Sequence, residues 1–200
     1  QDFRGYIAAN GRFILDKNWQ FTGSTRLASD RTFLRRYDIS RDDRLRTMAE
    51  LERIDSDSYF VLAGFATQTL RLDREQGEIP LALPLIDYRR RIDEPLLGGM
   101  VTLRGNSLAI TRDEGQDTQR ALASAQWDLR RVTPLGQVVQ LTALARGDVY
   151  HTANASQTQI ASYRGTEGWQ TRAIALAAVD VSWPLVGPLF GGTQVLTPRV

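Results

Sequence analysis

Between Arg31 and Arg53 the chain reads RTFLRRYDISRDDRLRTMAELER, with nine Arg, Asp or Glu among the first sixteen of these residues. From Arg44 onward the charges fall on alternate positions: Arg44, Arg46, Glu50 and Glu52 share one side with Met48, while Leu45, Thr47, Ala49 and Leu51 make the other. Guanidinium groups bind phosphate and carboxylate through forked hydrogen bonds. Carboxylates interleaved among them serve acid–base chemistry in some proteins, but on a strand face they more often form ion pairs along a wet wall. The densest basic clusters, Arg35-Arg36 and Arg89-Arg90-Arg91, lie beside Asp38, Asp42, Asp87 and Asp93, which balance them. A nucleic-acid surface needs a coherent basic face with stacking aromatics. Acids interrupt every cluster here, and the formal charge is only +2, so nucleic acid is not an expected partner.

Other chemistry is sparse. There is no cysteine and a single histidine, which removes disulfides, thiolate metal sites, a cysteine nucleophile and a His-rich zinc site. His151, in DVYHT, has no neighbouring nucleophile motif and reads as a structural or rim residue. GGM at 98–100 and LFGGT at 189–193 lack the strand-to-helix context and the lysine of a phosphate-binding loop and read as bends or turns. Neither a catalytic residue nor a metal or other cofactor is expected, and the chain is not read as an enzyme.

The elements that would position the charges are strands. With 200 residues, 42% hydrophobic and 24% charged, the chain is built to fold. No run of about 18 apolar residues marks a transmembrane helix. A transmembrane β-barrel stays open, because its strands are apolar only at every second position. The chain opens on Gln1, without a signal peptide, and is expected to be an excised piece of a longer, processed protein.

Period-two alternation runs almost throughout. Phe3, Gly5, Ile7, Ala9, Gly11, Phe13 and Leu15 oppose Arg4, Asn10 and Arg12, and after Asp16-Lys17-Asn18 the strand from Trp19 to Leu27 completes a hairpin. Further strands are expected at about 45–52, 59–72, 84–92, 97–111, 118–130, 137–151, 169–183 and 193–200, with Phe33–Ile39 as an extra one. The fold class is therefore all-β, an antiparallel up-and-down meander of about 10–11 strands. Many are longer than the ~5–6 residues usual in globular proteins.

Their connections alternate: short at 16–18, 55–57, 93–96 and 131–136, long at 28–43, 73–83 and 152–168, and intermediate at 112–117. Short turns at one end and long loops at the other are the pattern of an outer-membrane barrel. Trp19, Tyr59, Phe60, Trp127, Tyr150, Trp169 and Trp183 fall near strand ends, where an interfacial girdle would place them. Because a charge facing lipid is costly, the candidates for a hydrated lumen wall are Arg44, Arg46, Glu50, Glu52, Arg104 and Arg120.

Three stretches resemble a known family. SDRTFLRRYDIS at 29–40, after a strand ending Arg-Leu-Ala, is similar to the segment following an early hairpin in the lipopolysaccharide-assembly family LptD (OstA/Imp). Residues 79–121, IPLALPLIDYRRRIDEPLLGGMVTLRGNSLAITRDEGQDTQRA, resemble its succession of Pro-marked strand, hairpin and Thr-Arg-Asp loop; TPLG at 133–136 and QVLTPRV at 194–200 resemble its strand-opening signals. The resemblance implies a Gram-negative outer-membrane protein that takes lipopolysaccharide from a periplasmic LptA-type bridge and inserts it into the outer leaflet. It implies an N-terminal periplasmic jelly roll and a C-terminal barrel usually plugged by the lipoprotein LptE. Residues 1–200 would then be one interior segment of the barrel, in contact with outer-membrane lipid, with the jelly roll, the lateral-gate strands and the family's cysteines outside the segment. Two rival readings share some of these signals: another outer-membrane channel or porin, and a soluble carbohydrate-binding β-sandwich or solenoid.

Overall fold

The computed structural model describes residues 4–95, 97–158 and 160–200. Nine strands form one sheet: β1 (Tyr6–Ile14), β2 (Trp19–Ala28), β3 (Arg44–Ile54), β4 (Ser58–Thr69), β5 (Leu81–Asp93), β6 (Met100–Thr111), β7 (Asp117–Val132), β8 (Val138–Ala153) and β9 (Gly168–Ser182). Each pairs antiparallel with the next, in the order of the chain. Among the described residues β1 does not pair with β9, so the sheet is not closed on itself. Among the described residues no helix is long and apolar enough to cross a membrane.

The sheet is the expected meander, with three differences. The segment expected as a strand from Phe33 to Ile39 is instead a one-turn helix, α1 (Phe33–Arg36). Asp30 starts it by accepting hydrogen bonds from the Thr32 backbone and hydroxyl, at 2.9 and 2.8 Å. Leu34 then turns inward and is fully buried with Leu45, Leu70 and Ala28. This small core fills a gap: β2 and β3 pair only as far as Ser24–Met48. Beyond that point the Gln68 amide serves as the missing partner, accepting from Ala28 N at 2.9 Å and donating to Ala28 O at 2.7 Å.

The expected strand 193–200 is the second difference. Residues Leu185–Leu189 and Gly192–Leu196 form a separate hairpin, β10–β11. Phe190 and Gly191 turn it at positive φ, 52° and 78°, and only the last residues return to β9, where Val200 and Val181 exchange two backbone bonds of 2.9 Å. There are thus nine long strands and a short hairpin, not 10–11 long strands. Third, β5 begins at Leu81, before Pro84, because a bulge absorbs Leu83 and Pro84: the register with β6 shifts between Ala82 and Leu85. Proline has no N–H to give the ladder, so a bulge is where a sheet interior accepts it. Gly64 faces that bulge, and a Cβ there would sit 2.7 Å from the Leu83 side chain. The expected strand start at Phe3 lies outside the described residues, as does Leu96 in the 93–96 turn.

The turns at one end are tight and chemically specified. Asp16 accepts from the backbone N–H groups of Asn18 and Trp19, at 2.7 and 2.8 Å, which holds its carboxyl below the ordinary value. Between β5 and β6, Gly98 and Gly99 have φ of 72° and 82°, and the Trp127 indole donates to Gly98 O at 2.8 Å. A Cβ on Gly99 would lie 2.3 Å from Asp128 O. Gly99→Ala is expected to cost on the order of 1–3 kcal/mol through forced φ and this backbone clash. Gly147→Ala, with ordinary φ and no neighbour within 4 Å, should change stability by less than about 0.5 kcal/mol. Urea midpoints of the two variants refolded in detergent micelles check the contrast.

Candidate functional site

Residues directly opposite each other in an antiparallel pair point to the same face, and i and i+2 share it. Following the eight registers across the sheet therefore sorts every strand residue onto one of two faces. On one face, charged residues are confined to strand ends: Arg53, Arg90 and Arg131 within the last four positions of β3, β5 and β7, and Asp117 at the start of β7. Between the ends this face is Ala, Gly, Leu, Ile, Val, Phe and Trp with Tyr88 and a few Ser, Thr and Gln. On β8 it runs Val139, Leu141, Ala143, Ala145, Gly147, Val149.

The other face carries eleven arginines and seven carboxylates. Arg44, Arg46, Glu50, Glu52, Arg104 and Arg120 all stand on it, in two groups. On β3, Arg46 lies against Phe65 with its guanidinium 4.3 Å from the ring centre, and Glu52 accepts from the Gln20 amide. Arg104 and Arg120 stand on β6 and β7, and among the described residues neither has a carboxylate within ion-pair distance.

The most buried charge of this face was not among the sequence candidates. Asp148, its side chain 1% exposed, receives two arginines. Arg146, two residues earlier on β8, donates Nε and Nη2 at 3.0 and 2.6 Å; Arg172 reaches across from β9 with the same two nitrogens, at 3.3 and 3.2 Å. Tyr150 Oη lies 3.4 Å from the same carboxylate. The R-x-D spacing of 146–148 was visible in the sequence, since it puts both groups on one face. Arg172 was not, because its place opposite Asp148 depends on the β8–β9 register.

Of the aromatics expected at strand ends, Trp19, Phe60, Trp127 and Trp169 stand on the apolar face. Tyr59 and Tyr150 stand on the charged one, and Trp183 follows the end of β9. Phe13 and Phe21, opposite each other on the apolar face with rings 6.2 Å apart, join the set near the short turns. Period two decides the side; nearness to an end does not.

At the opposite end, the longer loops fold over the charged face. Gln116 accepts from Thr158 Oγ1 and Gly165 N, at 3.2 and 2.9 Å, tying the β8–β9 connection to the β6–β7 loop. Glu167 accepts from Asn154 N and Ala155 N at 3.1 and 2.8 Å. Beneath these loops lies a cavity of about 580 Å³, lined among others by Arg74, Arg112, Arg120, Gln116, Leu108 and Tyr163. It is the size of a small-ligand site, and it opens directly onto the charged face through Leu108 and Arg120.

Among the described residues no cluster of His, Asp or Glu is arranged to hold a metal ion. What the arrangement offers is a face rich in guanidinium donors on one side of the sheet and an apolar face on the other. A family model described as LPS transport system D, LptD, matches residues 2–200. No curated protein matches the chain.

One loop contact has a defined pH range. Arg71 grips Asp73 with Nε and Nη2 at 2.9 and 2.6 Å, which draws the Asp73 carboxyl from 3.8 down to about 2. A depressed carboxylate stabilises the fold above its ordinary value and loses that contribution as pH falls through the folded one. The Arg71–Asp73 contact should hold from neutral pH to below 3.8 and release near pH about 2. Carboxyl NMR titration should place Asp73 there, and Arg71→Gln should return it towards 3.8.

Proposed function

Because the chain belongs to the LptD family of lipopolysaccharide transport proteins, we propose that its nine strands are part of the wall of an outer-membrane barrel through which lipopolysaccharide reaches the cell surface. The apolar face meets lipid and the charged face lines a hydrated lumen. The observation that supports this reading is the sorting of charge. Across the eight registers, charged groups reach the apolar face only near strand ends.

The dimensions fit. From Val139 to Val149 the apolar face of β8 is unbroken for ten residue steps, ~34 Å along the strand and ~25 Å along the membrane normal at the usual tilt. At the short-turn rim, Trp19, Phe60 and Trp127 supply interfacial rings, and Arg53, Arg90 and Arg131 have stems long enough to carry their charge to the headgroups. Short turns then face the periplasm and long loops the exterior, as in barrels generally. Lipopolysaccharide would arrive from a periplasmic LptA-type bridge through an N-terminal domain, and an LptE-type lipoprotein would occupy the lumen. These partners, and the placing of residues 1–200 as an interior barrel segment, rest on the family resemblance.

Two measurements test the proposal. Depletion of the protein in its host should remove lipopolysaccharide from the surface while the protein fractionates with the outer membrane; normal surface lipopolysaccharide would sink the transport reading. Separately, Ala123→Arg and Ser124→Arg place the same charge on opposite faces at neighbouring positions. The first should cost ~2–4 kcal/mol on unfolding from lipid bilayers, the second no more than about 1 kcal/mol, the scale of the like-charge contacts with Arg104 and Arg146 opposite it. Equal costs would overturn the lipid-facing assignment.

A further inference from the structure

The charged face is not uniform. Across β6 to β9 its rows read Arg104–Ser124–Arg146–Ile174, then Asn106–Leu122–Asp148–Arg172, then Leu108–Arg120–Tyr150–Gln170. Four arginines stand in three successive rows with one carboxylate among them. Elsewhere on this face seven arginines stand with six carboxylates; Arg89 pairs with Asp87 at 3.0 Å and Arg91 with Asp93 at 3.3 Å, and Arg26 reaches Asp42 of the neighbouring loop at 2.6 Å. Arg104 and Arg120 have no such partner among the described residues. Arg146 and Arg172 spend Nε and Nη2 on Asp148, and the Nη1 donors of both have no acceptor among the described residues.

Asp148 acts here as a positioning residue. A lone guanidinium on a long side chain samples many rotamers, and each costs entropy to order. Two guanidinium groups docked on one buried carboxylate are already ordered, and their sum with it is still one positive charge. Above the third row the loop cavity adds Arg112, whose Nη1 donates to Gln116 O at 2.5 Å; Arg74 beside it is paired with Glu78 at 3.3 Å, and Glu114 lines the same cavity. Arg104 and Arg112 are eight residues apart along β6 and its end, which makes the track ~27 Å long.

We infer that Arg104, Arg146, Arg172 and Arg120, leading into the cavity with Arg112, form an anion track on one quadrant of the wall. Phosphate or carboxylate groups of the lipopolysaccharide sugars step along it towards the long-loop rim. The inference rests on the lumen reading above and adds to it a path: the glycan follows β6–β9 and not the wall at large. Arginine suits the task because its fork matches phosphate and carboxylate oxygens. Hydrated donors on several rows hold an anion without trapping it on any one.

The test uses the full-length protein in the outer membrane of its host. A photoreactive residue is placed at Ser124, between Arg104 and Arg146, at Thr118, above Arg120, and at Ser24, on the same face of β2. Irradiation should give lipopolysaccharide adducts at Ser124 and Thr118 and far fewer at Ser24. Adding Arg104→Gln and Arg120→Gln should lower the Ser124 and Thr118 adducts about tenfold, the equivalent of one charge-assisted hydrogen bond; the matching Lys variants should keep most of them. Heat-modifiable mobility on gels confirms that each variant is folded. Equal adducts at all three sites, unchanged by the Gln variants, would overturn the track and leave lumen transport standing. No lipopolysaccharide adduct at any of the three would overturn the lumen reading itself, and the track with it.

Discussion

A side chain on a strand has two directions open to it, and a shift of one residue in any of the eight registers would exchange them for the whole strand. In β8 such a slip would carry Arg146 and Asp148 to the apolar side and Val149 and Ala145 to the charged side. With a bilayer against one face, as proposed, each arginine so moved would cost ~2–4 kcal/mol at the midplane, and each apolar residue moved the other way would lose its burial. The register is therefore held by every row of side chains at once. In the proposed bilayer setting the backbone would add the matching requirement: hydrocarbon offers no hydrogen bonds, so each N–H and C=O must be satisfied within the ladder. Long, uninterrupted strands such as β7 and β8, sixteen residues each, answer both demands together.

The exceptions to regular pairing sit where the ladder could not otherwise continue. Pro84 interrupts β5, and the bulge takes it up against Gly64, the only residue type that leaves room for Leu83. The splay of β2 from β3 strands the last backbone groups of β2, and Gln68 meets them from β4. The same splay opens the space in which Leu34 is buried. Both devices keep the polar backbone satisfied without adding a charge to the apolar face.

Much of this was legible in the sequence, because period two is a strong local signal and the charges mark its phase. The positions of the tight turns follow from Asp16-Lys17-Asn18, Asp55-Ser56-Asp57 and the Gly98-Gly99 pair, whose backbone needs are local. The one-turn helix at Phe33 was hidden, since its stability comes from burying Leu34 against residues on three strands. The hairpin at 185–196 was hidden too, because alternation looks the same in a long strand and in two short ones. For the site, Arg44 to Glu52 announced a charged face, and Arg104 and Arg120 fell on it by their phase. The clamp on Asp148 was only half visible: Arg146 is local to it, but Arg172 is 24 residues away in sequence and meets it through register alone.

The clamp also shows why a charged wall does not neutralise itself. Full pairing of eleven arginines with carboxylates would give a lumen of satisfied ion pairs, with little left to bind a passing anion. A wall of isolated arginines would repel itself and leave each side chain to be ordered by its ligand. One buried carboxylate shared by two guanidinium groups lies between these limits. It relieves their mutual repulsion and fixes their direction, and it leaves a net positive charge with free Nη1 donors on both. In the proposed hydrated lumen such a charge would be screened over a Debye length of ~8–10 Å, about two strand spacings. Arginines two strands or one row apart thus remain within each other's reach for an anion passing between them. That spacing separates Arg104 from Arg146 across the sheet, and it lets a multiply charged sugar be held by one group as it leaves another.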